Sequence, residues 1–302
     1  MIAIDLGSNT LRVLEYDCRY ARATAEFEKI VKTADKLAST GVIDHEAVDR
    51  VIYAIKEARS RIDFSGQEVV AVTTEAIRRA KNAEDVLARI ERETGISFKV
   101  IDGRKEAALT LEAVRFRLNK LLITSERFVV ADIGGGSTEL SFVYGHSVIT
   151  RSFPIGIVTI AQTYSTLKRI EEALPSEMLS MQKFAAEMFA TKGEVETFVA
   201  TAGTPTTVAA MKLGQTYDTY DAKKINGTTL RVEELDIYLK KLLSQPFEVR
   251  EQMVGVGRSD LIAAGILIFK HLYRILEAEQ CIVVDDGLRE GVALAYCASK
   301  LD

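Results

Sequence analysis

Residues Val129 to Leu140 read VVADIGGGSTEL. A short apolar run ends in Asp132, three glycines follow, and Ser137, Thr138 and Glu139 close the stretch. The apolar run predicts a buried strand, and the glycines a tight turn whose backbone N–H groups can approach an anion. Glycine suits such a turn because a Cβ would obstruct both the bend and a close phosphate. Asp132 and Glu139 flank the loop, where two carboxylates can hold a divalent cation against phosphate oxygens.

The pattern occurs twice. Residues Ile2 to Val13 read IAIDLGSNTLRV, which sets Asp5 against Asp132, Gly7 against Gly134 and Arg12 against Glu139. Alternating apolar residues follow each copy, as a strand turning back in a hairpin requires. A single glycine loop is a weak signal, whereas two strands ending in Asp-x-Gly, each opening a presumed domain, predict a duplication. The expectation is an α/β chain of two similar lobes whose phosphate loops face each other across an interdomain cleft. This pairing resembles the actin, Hsp70 and sugar-kinase superfamily, with its ribonuclease H-like (ASKHA) domains.

Composition agrees with a two-lobed globular enzyme. The 302 residues fit two domains of about 120 to 180 residues each. The net charge of −4 gives no electrostatic reason to expect nucleic acid or an anionic membrane. An anionic substrate must then be met by local basic residues. The chain enters a strand within two residues, which leaves no room for a signal peptide. The longest apolar run, Leu261 to Phe269, is about half of what a membrane span needs. Cys18, Cys281 and Cys297 are scattered and show no CxxC spacing, which suggests a reducing cytosol and a cytoplasmic protein. His45, His146 and His271 are isolated, so neither a zinc site nor a histidine-based triad is expected.

Along the chain, the first lobe is expected over 1–120, joined by a C-terminal helix at about 287–302, and the second over 121–286. Asp44 is the expected N-cap of a helix with Val48, Val51, Ile52 and Ile55 on one face. Asn82 is expected to cap the next helix and Gly95 to close it. Asp102-Gly103 then leads into a helix carrying Glu106 in its first turn. The second lobe repeats the plan, with a helical region from Ile157 to about Met188 interrupted at Pro175. A third small-residue loop, Ala202-Gly203-Thr204, follows a strand. Ser259 or Asp260 is expected to cap an apolar helix, and DDGLREGVALAYC ends the chain in a turn and a helix.

The set IAIDLGSNT, AVTTEAIRRAKN, VIDGRKEAAL, VVADIGGGSTEL, ATAGTPTT and VVDDGLREGV resembles the exopolyphosphatase/guanosine pentaphosphatase (Ppx/GppA) family in consistent order over nearly the whole chain. The likeness is to the short, two-lobed form, which lacks the extra helical domains that follow the LREG helix in long members. Hydrolysing a phosphoanhydride needs donors that cradle an anion, charge neutralisation and an aligned water. Amides of Gly7, Ser8 and Asn9 and of Gly134, Gly135, Gly136 and Ser137 can supply the cradle. The resemblance assigns the phosphate clamp to Arg78 rather than Arg79, and the general base to Glu106. In the family's G-x-E-E-A stretch this chain reads GRKEA, so Lys105 replaces an acid beside the base. A first-turn acid is otherwise common simply as a complement to the helix dipole. Asp132 and Glu139, with Asp5 as a further acid, are the expected ligands of Mg2+ or another divalent cation. Gly203 and Thr204 are expected to hold the distal end of the substrate. Gly287, Arg289 and Gly291 are read as closing the fold.

The resemblance implies a phosphoanhydride hydrolase acting on polyphosphate, on guanosine penta- or tetraphosphate, or on both, and it allows a homodimer. A kinase or ATPase of the same superfamily and a silent polyphosphate or alarmone binder are the alternatives. By resemblance to short members, Arg12 and Arg258 are expected to grip an alarmone's pyrophosphates from opposite lobes. A solvated hairpin arginine and a helix-start surface arginine would explain the same two residues.

Overall fold

The computed structural model describes residues 1–300, and the chain divides into two compact units. The first unit is Met1–Ala113 together with the described residues from Gly287 onward, and the second is Val114–Asp286.

The first unit holds five strands, β1 (Ile2–Leu6), β2 (Thr10–Asp17), β3 (Arg22–Ile30), β4 (Val69–Thr73) and β5 (Phe98–Val100), in the order β3-β2-β1-β4-β5. The hairpin strands β1, β2 and β3 run antiparallel, while β1, β4 and β5 run parallel. All five residues of β1 are buried, as a strand covered on both faces requires. One cover is the helix Leu288–Ala298, which packs Leu288, Val292 and Ala293 against Ala3, Leu14, Val72 and Leu109. Gly291 lets that helix approach closely, because a Cβ there would lie 2.0 Å from Leu109 O.

The second unit holds β6 (Arg127–Ile133), β7 (Thr138–Tyr144), β8 (Ser147–Phe153), β9 (Thr197–Thr201), β10 (Thr228–Arg231) and β11 (Gln280–Val283). Their order, β10-β11-β9-β6-β7-β8, repeats the first sheet with β10 added as an antiparallel edge. Again the hairpin β6–β7–β8 is antiparallel and β6, β9 and β11 are parallel. Two actin-like domains, each a mixed sheet with helices, result from the duplicated plan. Among the described residues no single helix is long and apolar enough to cross a membrane. The helix Ser259–Ile275, apolar on nearly every side, is buried in the core of its unit.

Asp44 caps the helix His45–Arg61 by accepting from Glu46 N, and Gly95 ends Ala83–Thr94 in the left-handed region at φ 69°. Asn82 does not cap that second helix. Its amide makes a two-way pair with the backbone of Ile43, at 2.9 Å in each direction, which satisfies both halves of the side chain at once. Neither Ser259 nor Asp260 caps Ser259–Ile275, whose N-cap residue is Arg258. Glu251, from the preceding helix, accepts from Gly257 N and Ser259 N and so neutralises that helix start. Pro175 lies inside the helix Leu167–Glu177, and the breaks in the region fall instead at Ser165 and Met178.

The cysteine expectation is overturned. Cys18, just past β2, and Cys297, in the helix Leu288–Ala298, form a disulfide, and Cys281 is the buried free thiol. The partners are 279 residues apart, and only the return of the C-terminal helix to the first sheet brings them together. The cysteines therefore give no ground for a reducing compartment.

Candidate active site

In each unit the candidate residues leave the sheet at the C-terminal ends of three parallel strands, the edge where open α/β sheets bind ligands. In the first unit, residues 7–9 follow β1, Arg78 follows β4 and Glu106 follows β5. In the second, residues 134–137 follow β6, Gly203 and Thr204 follow β9, and Asp285 and Asp286 follow β11.

The two loops are built alike. Gly7 N–H donates to Thr10 O at 3.0 Å, and Gly134 N–H donates to Ser137 O at 2.9 Å. Both first-glycine amides are thus committed to closing the turn, which leaves the cradle to the residues after them. The loop carbonyls are held from one side. Asn9 O accepts from Val31 N and Lys32 N, and Ser8 O accepts from Ala34 N. Gly134 O accepts from Ile157 N at 3.0 Å and Gly135 O from Val158 N at 2.8 Å, at the start of the helix Ile157–Tyr164. Ser8, Asn9 and Ser137 are buried. The steric argument for glycine holds at Gly134, where a Cβ would lie 2.9 Å from Ser137 O, but not at Gly7, where it would make ordinary contact with Thr10 O at 3.6 Å.

Asp5 faces Arg12 across β1–β2, and Asp132 faces Glu139 across β6–β7, so the duplication keeps the register and changes one charge. Arg12 is bonded to Glu28 at 3.0 Å. Its guanidinium is held charged above the usual range: burial works against the charge, but Glu28 and Asp5 outweigh it, with Arg289 opposing. Arg289 in turn bonds Glu26 at 2.7 Å and Glu290 at 2.5 Å. Arg12 therefore sits in a network of acids on its own unit. Arg258, in the other unit, is buried at the start of its helix.

Arg78 and Glu106 are brought together. Arg78 Nη1 stands 4.0 Å from Glu106 Oε2 and donates to Ile101 O at 2.6 Å. Nη2 of the same residue is held by Glu75, a buried acid that the sequence reading passed over. The signal for it was present, since Glu75 precedes Arg78 and Arg79 by three and four residues on the helix Glu75–Arg79. Asp102 starts the helix Gly103–Lys120 by accepting from Lys105 N at 2.8 Å, which sets Glu106 in its first turn. Lys105 is exposed.

In the second unit Glu139 is buried and accepts from Ser152 Oγ at 2.6 Å, while Asp132 is half-buried. Two carboxylates opposed on neighbouring strands fit a hard cation that takes one or two protein oxygens and fills its shell from water and phosphate. Asp5 belongs to the other unit, and among the described residues no group of three or more His, Cys, Asp or Glu has metal-site geometry. Thr204 is fully buried, its side chain packed against Gly265, whose added Cβ would fall 2.1 Å from Thr204 Oγ1. What Thr204 can offer a ligand is its backbone, at the head of the helix Gly203–Lys212.

Asp285 and Asp286 were also passed over. Asp286 is buried and gripped by Arg117 through two bonds, of 2.6 and 3.0 Å, and Asp285 accepts from Tyr220. The Asp-Gly pairs at 102–103 and 286–287 each lead into a helix with a first-turn glutamate, Glu106 and Glu290. Glu290 is taken up by Gly287 N at 2.8 Å and by Arg289.

The model of the Ppx/GppA phosphatase family matches residues 21–299. The chain is 26% identical over 314 residues to exopolyphosphatase 1 of Mycobacterium leprae, covering 99% of this chain and 90% of that protein. It is 27% identical to exopolyphosphatase 2 of Mycobacterium tuberculosis, covering 97% of each. A solved Ppx/GppA family member from Aquifex aeolicus superposes with a TM-score of 0.74 at 32% identity, covering 100% of this chain and 98% of the other. An exopolyphosphatase structure from Cytophaga hutchinsonii shares the fold, with a TM-score of 0.85 at 21% identity and coverage of 99% and 97%.

Proposed function

Because the chain belongs to the Ppx/GppA phosphatase family, we propose that it hydrolyses phosphoanhydrides, releasing terminal phosphate from inorganic polyphosphate, converting guanosine pentaphosphate to the tetraphosphate, or both. The observation that carries this reading is the pairing of Arg78 with Glu106, 4.0 Å apart at the ends of adjacent parallel strands. Glu106 aligns a water and accepts its proton as the new O–P bond forms. The bridging P–O bond breaks, and the electron pair leaves on the shortened chain's terminal oxygen. Arg78, with two nitrogens on one planar guanidinium, neutralises the charge spread over the transferred phosphoryl group. In the first unit the loop amides of Ser8 and Asn9 can orient phosphates, and in the second unit those of Gly135, Gly136 and Ser137 can do the same. Asp132 and Glu139 would hold a magnesium ion, whose bound charge offsets that of the phosphate oxygens.

Phosphate release from polyphosphate and from guanosine pentaphosphate, without an acceptor and with magnesium, tests the proposal. Turnover of either supports it. Activity on ATP alone, or only with a phosphoryl acceptor, would move the chain to the ATPase or kinase reading.

A further inference from the structure

Arg78 is held at both ends. Its Nη2 is bonded to Glu75 Oε2, and its Nη1 donates to Ile101 O at 2.6 Å beside Glu106. A guanidinium is planar and stiff, so fixing both terminal nitrogens sets the plane that meets a phosphate. Glu75 itself is 9% exposed, a poor location for a carboxylate unless cations surround it. Its second oxygen, Oε1, stands 3.8 Å from Arg79 Nε, so one acid bridges two arginines from successive positions of a single turn. The duplication supplies an internal comparison. The helix that follows the matching strand of the second unit opens on Gly203 and carries no acid in its first turn, and no arginine follows there. The buried acid accompanies the arginines; this type of helix start does not require it.

We infer that Glu75 is a positioning residue for the proposed reaction. It sets the guanidinium of Arg78 beside Glu106 and, by sharing the arginine's charge, weakens its hold on released phosphate. Arg79 stands against the second oxygen of Glu75, so the acid keeps a cationic neighbour when Arg78 engages a phosphoryl group. The inference rests on Arg78 acting as the phosphate clamp.

The test is Glu75→Gln, an isosteric change, measured for kcat and KM on polyphosphate, for inhibition by inorganic phosphate, and for Tm. Losing the charged anchor should lower kcat about tenfold, within the range that small misplacements cost. It should also make phosphate inhibit at a roughly three- to tenfold lower concentration, because Arg78 no longer shares its charge. Tm should stay close to that of the native protein. Unchanged kcat and inhibition would overturn the inference. A fall in kcat without tighter phosphate binding, or one that follows a lowered Tm, would overturn it equally, since a purely structural role gives that result. Arg78→Ala, measured in parallel, separates the two levels. If it is inactive while Glu75→Gln behaves as native, only the role of Glu75 fails. If it retains full turnover, the clamp reading itself fails.

Discussion

Gly156→Ala tests how the second phosphate loop is held. Gly156 has φ −132° and ψ 172°, an extended backbone that alanine adopts without strain, so any effect must come from the added methyl group. That methyl would lie 2.3 Å from Gly135 O, 2.4 Å from Gly135 C and 2.6 Å from Gly136 N. All three neighbours are backbone of the loop and cannot swing aside. Reaching ordinary contact requires the loop and the helix Ile157–Tyr164 to separate by roughly 1 Å. That movement breaks or stretches the bonds Ile157 N–H to Gly134 O and Val158 N–H to Gly135 O, now 3.0 and 2.8 Å. Two such bonds contribute about 1–3 kcal/mol together, which lowers Tm by about 3–10 °C in a domain of this size. The displaced amides should reduce kcat on polyphosphate by up to roughly a hundredfold. Phosphate release and differential scanning fluorimetry on the same preparation read both effects. Gly7→Ala is the control, because its methyl would meet only Thr10 O at 3.6 Å. A Gly156→Ala protein with native kcat and Tm would refute the idea that helix and loop are in rigid contact.

Three further outcomes follow from the site and the thiols. Glu106→Gln should keep the fold while cutting turnover by roughly a hundredfold or more, the scale of a lost general base; near-native hydrolysis would remove Glu106 from that role. Asp132→Asn and Glu139→Gln should each raise the magnesium concentration for half-maximal activity, and an unchanged dependence in both would place the cation elsewhere. Burial pushes the Cys281 thiol up to about 12, so it stays protonated and unreactive at pH 8 in the native fold. Native oxidised protein should then show no thiol to a disulfide reagent, denatured protein one, and denatured reduced protein three; a reactive native thiol contradicts the assignment.

Much of the fold could be read from two short stretches. An apolar run ending in Asp-x-Gly admits few interpretations, and two copies require two lobes; the second sheet repeats the strand order of the first and adds β10. The roles expected of Arg78 and Glu106 came from the family resemblance; their adjacency comes from the pairing of β4 with β5. Other features depend on tertiary packing that local pattern does not encode. Thr204 follows a glycine at a strand's end, as a phosphate-binding threonine would, yet the close passage of Gly265 buries its side chain. Asn82 has a typical capping position, but Ile43, 39 residues away, competes successfully for its amide. Its spacing from Arg78 and Arg79 aside, nothing in its local sequence singles out Glu75, and only the packed structure shows both of its oxygens facing arginines. The cysteine pair, separated by nearly the whole chain, has no local signature at all.

That cysteine pair changes the covalent topology of the molecule. With Cys18 joined to Cys297, every residue of the second unit lies inside a closed covalent ring, and of the described residues 1–17 and 298–300 lie outside it. A tensile load applied between Met1 and Lys300 would pass from one side to the other through the sulfur bridge without reaching the sheet of the second unit. Stretched in this way, the oxidised chain could pay out roughly 75 Å, against roughly 1,000 Å once the bridge is reduced. A single backbone cut anywhere within the ring would likewise leave one connected molecule.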